Sequence, residues 1–162
     1  MDRSIVYREM KRGEEGLVFA FVSGVFNEFV APEYSHEGIE EFMEYIQPDE
    51  LASRAQKNHF SLIAELGSEI VGVIEVRNYS HVALLFVDSR FQRRGVGTEL
   101  LRKALEICRR SESNLSQVSV NASPNSITAY ERMGFTPTDV DQCVNGIRFV
   151  PMALRLVQED GG

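Results

Sequence analysis

The sequence predicts a mixed α/β fold, in which one β-sheet carries helices on both of its faces. Segments with the polarity alternation or the β-branched composition of strands are interleaved with segments whose apolar residues recur every three or four positions, as in helices. The chain has 162 residues, of which 43% are hydrophobic and 25% are charged, and this is enough to build one sizeable core. We therefore expect a single domain over residues 1–157, followed by a frayed tail at 158–162.

The first half of the chain predicts a strand, two helical regions and a hairpin. Its apolar run at residues 17–26 is too short to span a bilayer, so we interpret it as part of a buried helix. Gly67 and Ser68 separate two strand-like segments and suit a tight hairpin turn. The predicted elements are a strand at 4–10, a helix at 14–30, a helical region at 35–46 and 48–56, and strands at 59–66 and 69–77.

The second half contains the clearest helix, at residues 95–110. One of its faces is apolar and the opposite face is charged, so the apolar face is expected to pack on the sheet. A shorter helix begins at Pro124 and ends at Gly134. The remaining predicted elements are strands at 81–87, 116–120 and 146–156.

Composition also narrows the function. The net charge of −7 argues against a general affinity for nucleic acid, which requires an excess of lysine and arginine. The two cysteines and three histidines lack the spacing of metal ligands, so we expect reduced thiols and no metal. The N-terminal residues contain no apolar run of signal-peptide length. We expect a cytoplasmic protein that binds no membrane, and homodimerisation stays open.

Residues 90–98, "RFQRRGVGT", place two arginines beside two glycines at the start of the long helix. Glycine lets a ligand approach the backbone, and free N–H groups at a helix N-terminus suit an anion such as phosphate. A nucleotide P-loop is excluded, because Gly97 is followed by Thr98 and Glu99 rather than by lysine and a hydroxyl residue. A dinucleotide fingerprint is excluded because Leu100 stands where the third glycine belongs. A different phosphate loop remains, or an ordinary turn with two solvated arginines.

Two motifs together resemble the GCN5-related N-acetyltransferase (GNAT) family. The first is Gln/Arg-x-x-Gly-x-Gly/Ala, met by residues 92–97, and the second is the helix-to-strand motif of residues 123–135, "SPNSITAYERMGF". The resemblance covers roughly residues 60–155. It implies the GNAT acyl-CoA N-acyltransferase fold, with a mainly antiparallel sheet that splays into a V between the strands ending near Val87 and Asn121. The long helix would lie behind that sheet.

The resemblance implies acetyl-CoA as co-substrate, bound without a metal. The pantetheine arm would pair with the backbone near Phe86, Val87 and Asn121. The family's frequent asparagine is replaced by Ser123, which could equally be a helix cap, and Asn125 would border the cofactor. The pyrophosphate would be held by Gln92, Arg93, Arg94, Gly95, Val96, Gly97 and Thr98, although either arginine could simply be solvated.

Tyr130 matches the family's tyrosine beside the thioester sulfur. The resemblance implies that it protonates the departing thiolate, whereas the sequence alone is also compatible with a packing role. Where family members often carry a glutamate base, this chain has Ala83 and Leu84. Glu75 and His81 are the candidate bases, each of which could instead be a solvated edge residue. A water chain, or an amine that arrives neutral, would also serve.

The acceptor is the least defined part of the prediction. Residues 33–50 are rich in glutamate and aspartate, which would attract a cationic amine if they lined the site and would otherwise form a solvated helix face. Aminoglycoside, polyamine, peptide N-terminus and lysine acceptors all stay open. We expect transfer of an acetyl group to a primary amine of a small molecule or peptide. The alternative is a catalytically inactive acyl-CoA-binding module with a regulatory or interaction role.

Overall fold

The computed structural model of the protein describes residues 4–157, so the tail predicted at 158–162 lies outside the described residues. Within that range the strands form one sheet in the order β1-β2-β3-β4-β5-β8-β6, with β7 paired to β8. All neighbouring strands are antiparallel except β4 and β5, which run parallel. The strands are β1 Val6–Glu9, β2 His59–Leu66, β3 Glu69–Arg77, β4 His81–Val87, β5 Gln117–Ala122, β6 Thr136–Pro137, β7 Gln142–Val144 and β8 Ile147–Arg155.

Helices cover both faces of the sheet, which confirms the predicted α/β architecture. The first three helices pack on one face, around a core that includes Val22 and Val73. The fourth helix packs on the other face, around Leu100 and Ile74. The helices are α1 Glu15–Phe29, α2 His36–Tyr45, α3 Pro48–Ala55, α4 Val96–Ser111 and α5 Ile127–Arg132, and short 3₁₀ turns span Ala31–Glu33, Ser89–Phe91 and Pro124–Ser126.

The local sequence accounts for where these helices begin and how they face. Ser35 caps α2, because its hydroxyl accepts a hydrogen bond from the N–H of Gly38. Pro48 begins α3, where its missing N–H is not needed. On α4, the predicted apolar face is buried, and Arg102 on the opposite face bonds both Glu99 and Glu106.

A β-bulge at Ala83 bends β4 in the middle. Glu75 of β3 pairs with Leu84, but the next residue, Val76, pairs with Val82, so Ala83 is the extra residue. The bulge also interrupts the alternation of side chains: Val82 packs in the core beneath α4, whereas Leu84 packs in the core beneath α1. From this point β4 leaves its neighbour β5.

The V-shaped opening predicted between β4 and β5 is confirmed. The two strands pair only at His81 with Ser119 and at Val82 with Val120, and the residues beyond are not paired. The C-terminal part of β4 and the end of β5 therefore form two open edges that face one another across a gap.

The last strand has two partners that the sequence analysis did not predict. β6 and β7 both pair with β8, and the turn between β7 and β8 contains Asn145 and Gly146. An Asn-Gly pair between two short strand segments is a strong hairpin signal, so the sequence contained the information needed to predict this hairpin. The turn packs against the start of α2, where the hydroxyl of Ser35 donates to the Gly146 carbonyl at 3.2 Å.

Candidate active site

A groove of about 500 Å³ occupies the gap between β4 and β5. Its walls come from the C-terminal half of β4, the end of β5, the start of α4, the helix α5 and the region from α1 to α2. This volume lies within the range of about 300–1,000 Å³ that is usual for small-molecule sites. The groove thus coincides with the place where the sheet lacks backbone pairing.

The β5 edge of the groove presents the backbone of Asn121. The N–H of Ser119 donates to the Ser80 carbonyl at 2.9 Å, so the backbone groups of Ser119, and of Asn121 two residues later, are directed away from β8 and towards β4. Pro151 faces Asn121 on β8, and it has no N–H to donate. The Pro151 carbonyl accepts from Thr138 instead. Within residues 4–157, the backbone N–H and C=O of Asn121 therefore have no strand partner and can pair with a ligand.

The β4 edge presents Leu85 and Val87. The N–H of Asp88 donates to the Val71 carbonyl on β3, so alternation directs the backbone groups of Val87 and Leu85 into the groove and those of Phe86 towards β3. The side-chain amide of Gln92 donates to the Val87 carbonyl at 3.1 Å. The sequence prediction named Phe86 and Val87 at this edge, and it missed Leu85. Phe86 lines the groove with its side chain, because its backbone groups are directed towards β3.

The start of α4 forms one end of the groove. The first bond of the helix runs from the Glu99 N–H to the Gly95 carbonyl, and no side chain caps the helix. Within the described chain, the N–H groups of Val96, Gly97 and Thr98 therefore have no partner, and the positive end of the helix dipole adds to them. Gly95 has φ +82°, a conformation that favours glycine. This end of the groove suits an anion such as phosphate.

Two arginines line the groove, only one of which was predicted. Arg93 lies in the loop before α4, and Arg132 lies at the end of α5. Arg94, the other predicted arginine, does not line it and instead lies over the Phe91 ring, 5.8 Å from its centroid. Arg132 falls inside the second sequence motif, but only the tertiary fold brings α5 beside the start of α4.

Tyr130 lies in the wall of the groove on α5. Its side chain is buried, its ring packs edge-on against Phe135 with centroids 5.3 Å apart, and its hydroxyl makes no hydrogen bond within the described chain. Burial raises the pKa of Tyr130, so the phenol keeps its proton throughout the neutral range. The residue therefore offers an uncommitted proton donor to whatever occupies the groove.

Ser123 and Asn125 both line the groove, but each is already engaged. The Ser123 hydroxyl lies 2.8 Å from the Asn125 side-chain oxygen and 2.8 Å from the Ser126 hydroxyl. Ser123 makes no side-chain cap to the helix backbone. The Asn125 amide donates to the Phe29 carbonyl at 2.6 Å, which ties the segment before α5 to the end of α1. In this arrangement the two residues shape the wall of the groove.

Neither predicted base faces the groove. Glu75 is 1% exposed, and its carboxylate accepts from the Arg54 side chain at 3.2 Å and from the Tyr45 hydroxyl at 3.4 Å. His81 begins β4, where its Nδ1 lies 2.7 Å from the Ser119 hydroxyl, and burial lowers its pKa to about 4. Both are part of the packed sheet rather than solvated edge residues. Of the residues described, the side chains that line the groove include no aspartate, glutamate, histidine or lysine.

Part of the groove lining is aromatic, which the sequence did not predict. Phe26 stacks on Phe42 with centroids 4.0 Å apart, Tyr34 meets Phe26 edge-on at 5.3 Å, and Phe42 lies 5.8 Å from Phe86. We call these four residues the aromatic wall. The glutamates of α2 instead line a separate surface depression together with Met43 and Gln47. The predicted acidic wall is therefore not part of this groove.

Residues 4–157 contain no group of three histidine, cysteine, aspartate or glutamate side chains placed to hold a metal ion. No helix in the same range has the length and apolar character needed to cross a bilayer.

Solved structures of other proteins share this fold. The structure is similar to a GCN5-related N-acetyltransferase from Rhodopseudomonas palustris, with TM-score 0.79, 21% identity, and coverage of 96% of this chain and 99% of that one. It is also similar to the PaiA N-acetyltransferase from Thermoplasma acidophilum in complex with coenzyme A, with TM-score 0.78, 21% identity, and coverage of 94% and 99%. An aminoglycoside 6'-N-acetyltransferase complexed with coenzyme A gives TM-score 0.63 at 14% identity, with coverage of 96% and 99%.

These structural similarities show the fold, whereas the sequence can also identify the family. None of the curated proteins matches the chain. The family described as the acetyltransferase (GNAT) domain, however, matches residues 30–156, which is most of the sequence. The chain therefore belongs to the GNAT acetyltransferase family.

Proposed function

We propose that the protein transfers the acetyl group of acetyl-CoA to a primary amine. The observation that carries this proposal is the gap between β4 and β5, whose unpaired backbone edges lead to an uncapped helix start. The bound coenzyme A named for two of the similar structures supports it. Tyr130 in the groove wall favours an enzyme over an inactive binding module, because a buried, unbonded phenol suits proton donation.

Acetyl-CoA fits the groove in one direction. Its pyrophosphate would accept hydrogen bonds from the free N–H groups of Val96, Gly97 and Thr98, with the charges of Arg93 and Arg132 nearby. Its pantetheine arm would follow the open strand edges, where the backbone groups of Leu85, Val87 and Asn121 point inwards. The thioester then lies towards the bulge of β4, between Tyr130 and the aromatic wall.

The chemistry is an attack of the amine nitrogen on the thioester carbonyl. A C–N bond forms, the C–S bond breaks, and the electron pair of that bond leaves with sulfur. Tyr130 donates its proton to the departing thiolate, so coenzyme A leaves as a thiol. The nitrogen loses its proton to water, and the phenol is restored from solvent.

The test is a binding and turnover experiment with a matched pair of glycine variants. A Cβ at Gly97 would make ordinary contacts with Met133 at 3.4 Å and Val87 at 3.6 Å, so Gly97→Val should fold. Its larger side chain should obstruct the N–H groups and weaken acetyl-CoA binding by at least roughly tenfold, the loss of one charge-assisted hydrogen bond.

The control is Gly24→Val, at an exposed helical glycine with open space around its Cβ. It should leave acetyl-CoA binding unchanged. The readouts are calorimetric affinity for acetyl-CoA and thiol release with a mixture of amines. Equal affinity of folded Gly97→Val and wild type would refute the assignment of the groove. Tight binding without thiol release from any amine would instead favour the inactive module.

A further inference from the structure

The acceptor side of the groove has an apolar surface built largely of aromatic rings. Phe26 is fully buried and fixes the stacked Phe42 ring, while Tyr34, Phe42 and Phe86 are half-buried and line the groove. The adjoining residues Val25, Phe29 and Val30 on α1 and its C-terminal end are also apolar. A surface of this kind favours a planar hydrocarbon body, because aromatic rings stack and exclude water.

The charges around the groove disfavour a cation. Its two charged lining residues in the described chain are Arg93 and Arg132, both positive. The acidic side chains of α2, Glu37, Glu40, Glu41 and Glu44, line a different surface depression. An ammonium group at the aromatic wall would therefore lose its hydration and gain no carboxylate partner. This is the opposite of a site built for polyamines or aminoglycosides.

Among residues 4–157, the groove also has no lining carboxylate or imidazole that could remove a proton from the acceptor. Glu75 and His81 are held within the sheet. An alkylamine resembles the lysine side chain, with a pKa of about 10.4, and is mostly protonated at neutral pH. An amino group attached directly to an aromatic ring is unprotonated there. The acceptor nitrogen must therefore be unprotonated, with its lone pair free, when it binds.

We propose that the acceptor is an aromatic amine that binds as the neutral base, with its ring against the aromatic wall and its nitrogen towards the thioester. This inference rests on the proposed function. The neutral nitrogen forms the new C–N bond, the C–S bond breaks, and Tyr130 protonates the thiolate. The proton that the nitrogen sheds returns to the phenolate through water, so no separate base is needed.

The test measures binding of three amines to the protein saturated with coenzyme A, so that it does not depend on turnover. The probes are aniline, benzylamine and spermidine, titrated by calorimetry at pH 7 and pH 8. We expect the aniline affinity to be independent of pH. The benzylamine affinity should rise roughly tenfold per pH unit, because only its neutral fraction binds. Spermidine should bind at least roughly tenfold more weakly than aniline, because the cation finds no counter-charge.

A variant that introduces a negative charge gives a second, independent readout. Val25→Glu places a carboxylate among the groove-lining residues of α1 and should raise spermidine affinity about fivefold. The control Leu17→Glu lies on the same helix, 61% exposed and outside the groove, and should change nothing.

The outcomes separate this inference from the proposed function. Tighter binding of spermidine than of aniline by the wild type, binding of none of the three amines, or a benzylamine affinity that is equal at both pH values would overturn the inference. Absence of thiol release from acetyl-CoA with every amine, while the aromatic amines still bind as expected, would instead contradict the proposed function. Acetylation of spermidine in preference to aniline would leave the proposed function intact and refute only the acceptor class.

Discussion

Tyr130 provides the sharpest test of the proposed mechanism, through the substitution Tyr130→Phe. The phenylalanine keeps the ring that packs against Phe135, and the lost hydroxyl has no hydrogen-bond partner in the described chain. The unfolding free energy should therefore change by less than about 1 kcal/mol, since no bonded polar group is left unpaired. Affinity for acetyl-CoA should also persist, because the start of α4, the proposed phosphate site, is untouched.

Only the rate of the chemical step should fall. Positioned proton transfer contributes roughly 10²- to 10⁴-fold, so kcat should fall by about that factor while KM for acetyl-CoA changes little. Since burial raises the pKa of Tyr130, the phenol of the wild type should stay protonated, and activity should not decline between about pH 7 and pH 9 through loss of this proton.

The assay is steady-state thiol release with any accepted amine, together with melting curves and calorimetric affinity for acetyl-CoA. Tyr79→Phe is the matched control, because Tyr79 packs on Phe60 with centroids 5.6 Å apart and does not line the groove. It should retain wild-type kcat. If Tyr130→Phe keeps more than about half of the wild-type kcat while chemistry limits the rate, Tyr130 is not the acid, and water or the substrate supplies the proton.

Two further predictions concern the residues that the sequence suggested as bases. Glu75→Gln should lower the unfolding free energy by roughly 2 kcal/mol, because it removes the carboxylate that pairs with the Arg54 side chain, which is 14% exposed and also donates to the Tyr45 carbonyl. The kcat of the folded fraction should nevertheless stay within about threefold. Urea unfolding and kinetics check this, with the exposed Glu131→Gln as control, and a hundredfold loss of kcat in the folded protein would restore Glu75 as a base. For His81, the folded pKa of about 4 lies below the ordinary 6.5, so in that interval the unfolded chain binds the proton and the folded one does not. Stability should therefore fall as pH drops from about 6.5 to about 4, and His81→Gln should lose that part of the pH dependence; parallel urea midpoints for both proteins across this range would show that the burial of His81 has no such effect.

The sequence by itself predicted most of the elements and the uncapped start of α4 beside two glycines. Strand and helix periodicity is a local property, so β2, β3, β4 and α4 were predicted within about one residue of their observed bounds. The anion-suited start of α4 was also predictable from the sequence. Its glycines and free N–H groups are a local feature that does not depend on distant residues. The short pairings of β6 and β7 were missed, since two or three residues carry too little periodicity to detect.

Only the tertiary structure decided the acceptor side of the groove and the role open to each charged residue. Phe26, Phe42 and Phe86 come from three different elements, and only the packing of α1 and α2 on β4 brings their rings together. Glu75 could have been a free base by sequence, but the bulge and the register of β3 bury it against Arg54. Burial, partnership and charge depend on contacts between residues far apart in the chain, which no local pattern contains. The sequence therefore predicted the free N–H groups at the start of α4, and the fold decided which side chains surround the rest of the groove.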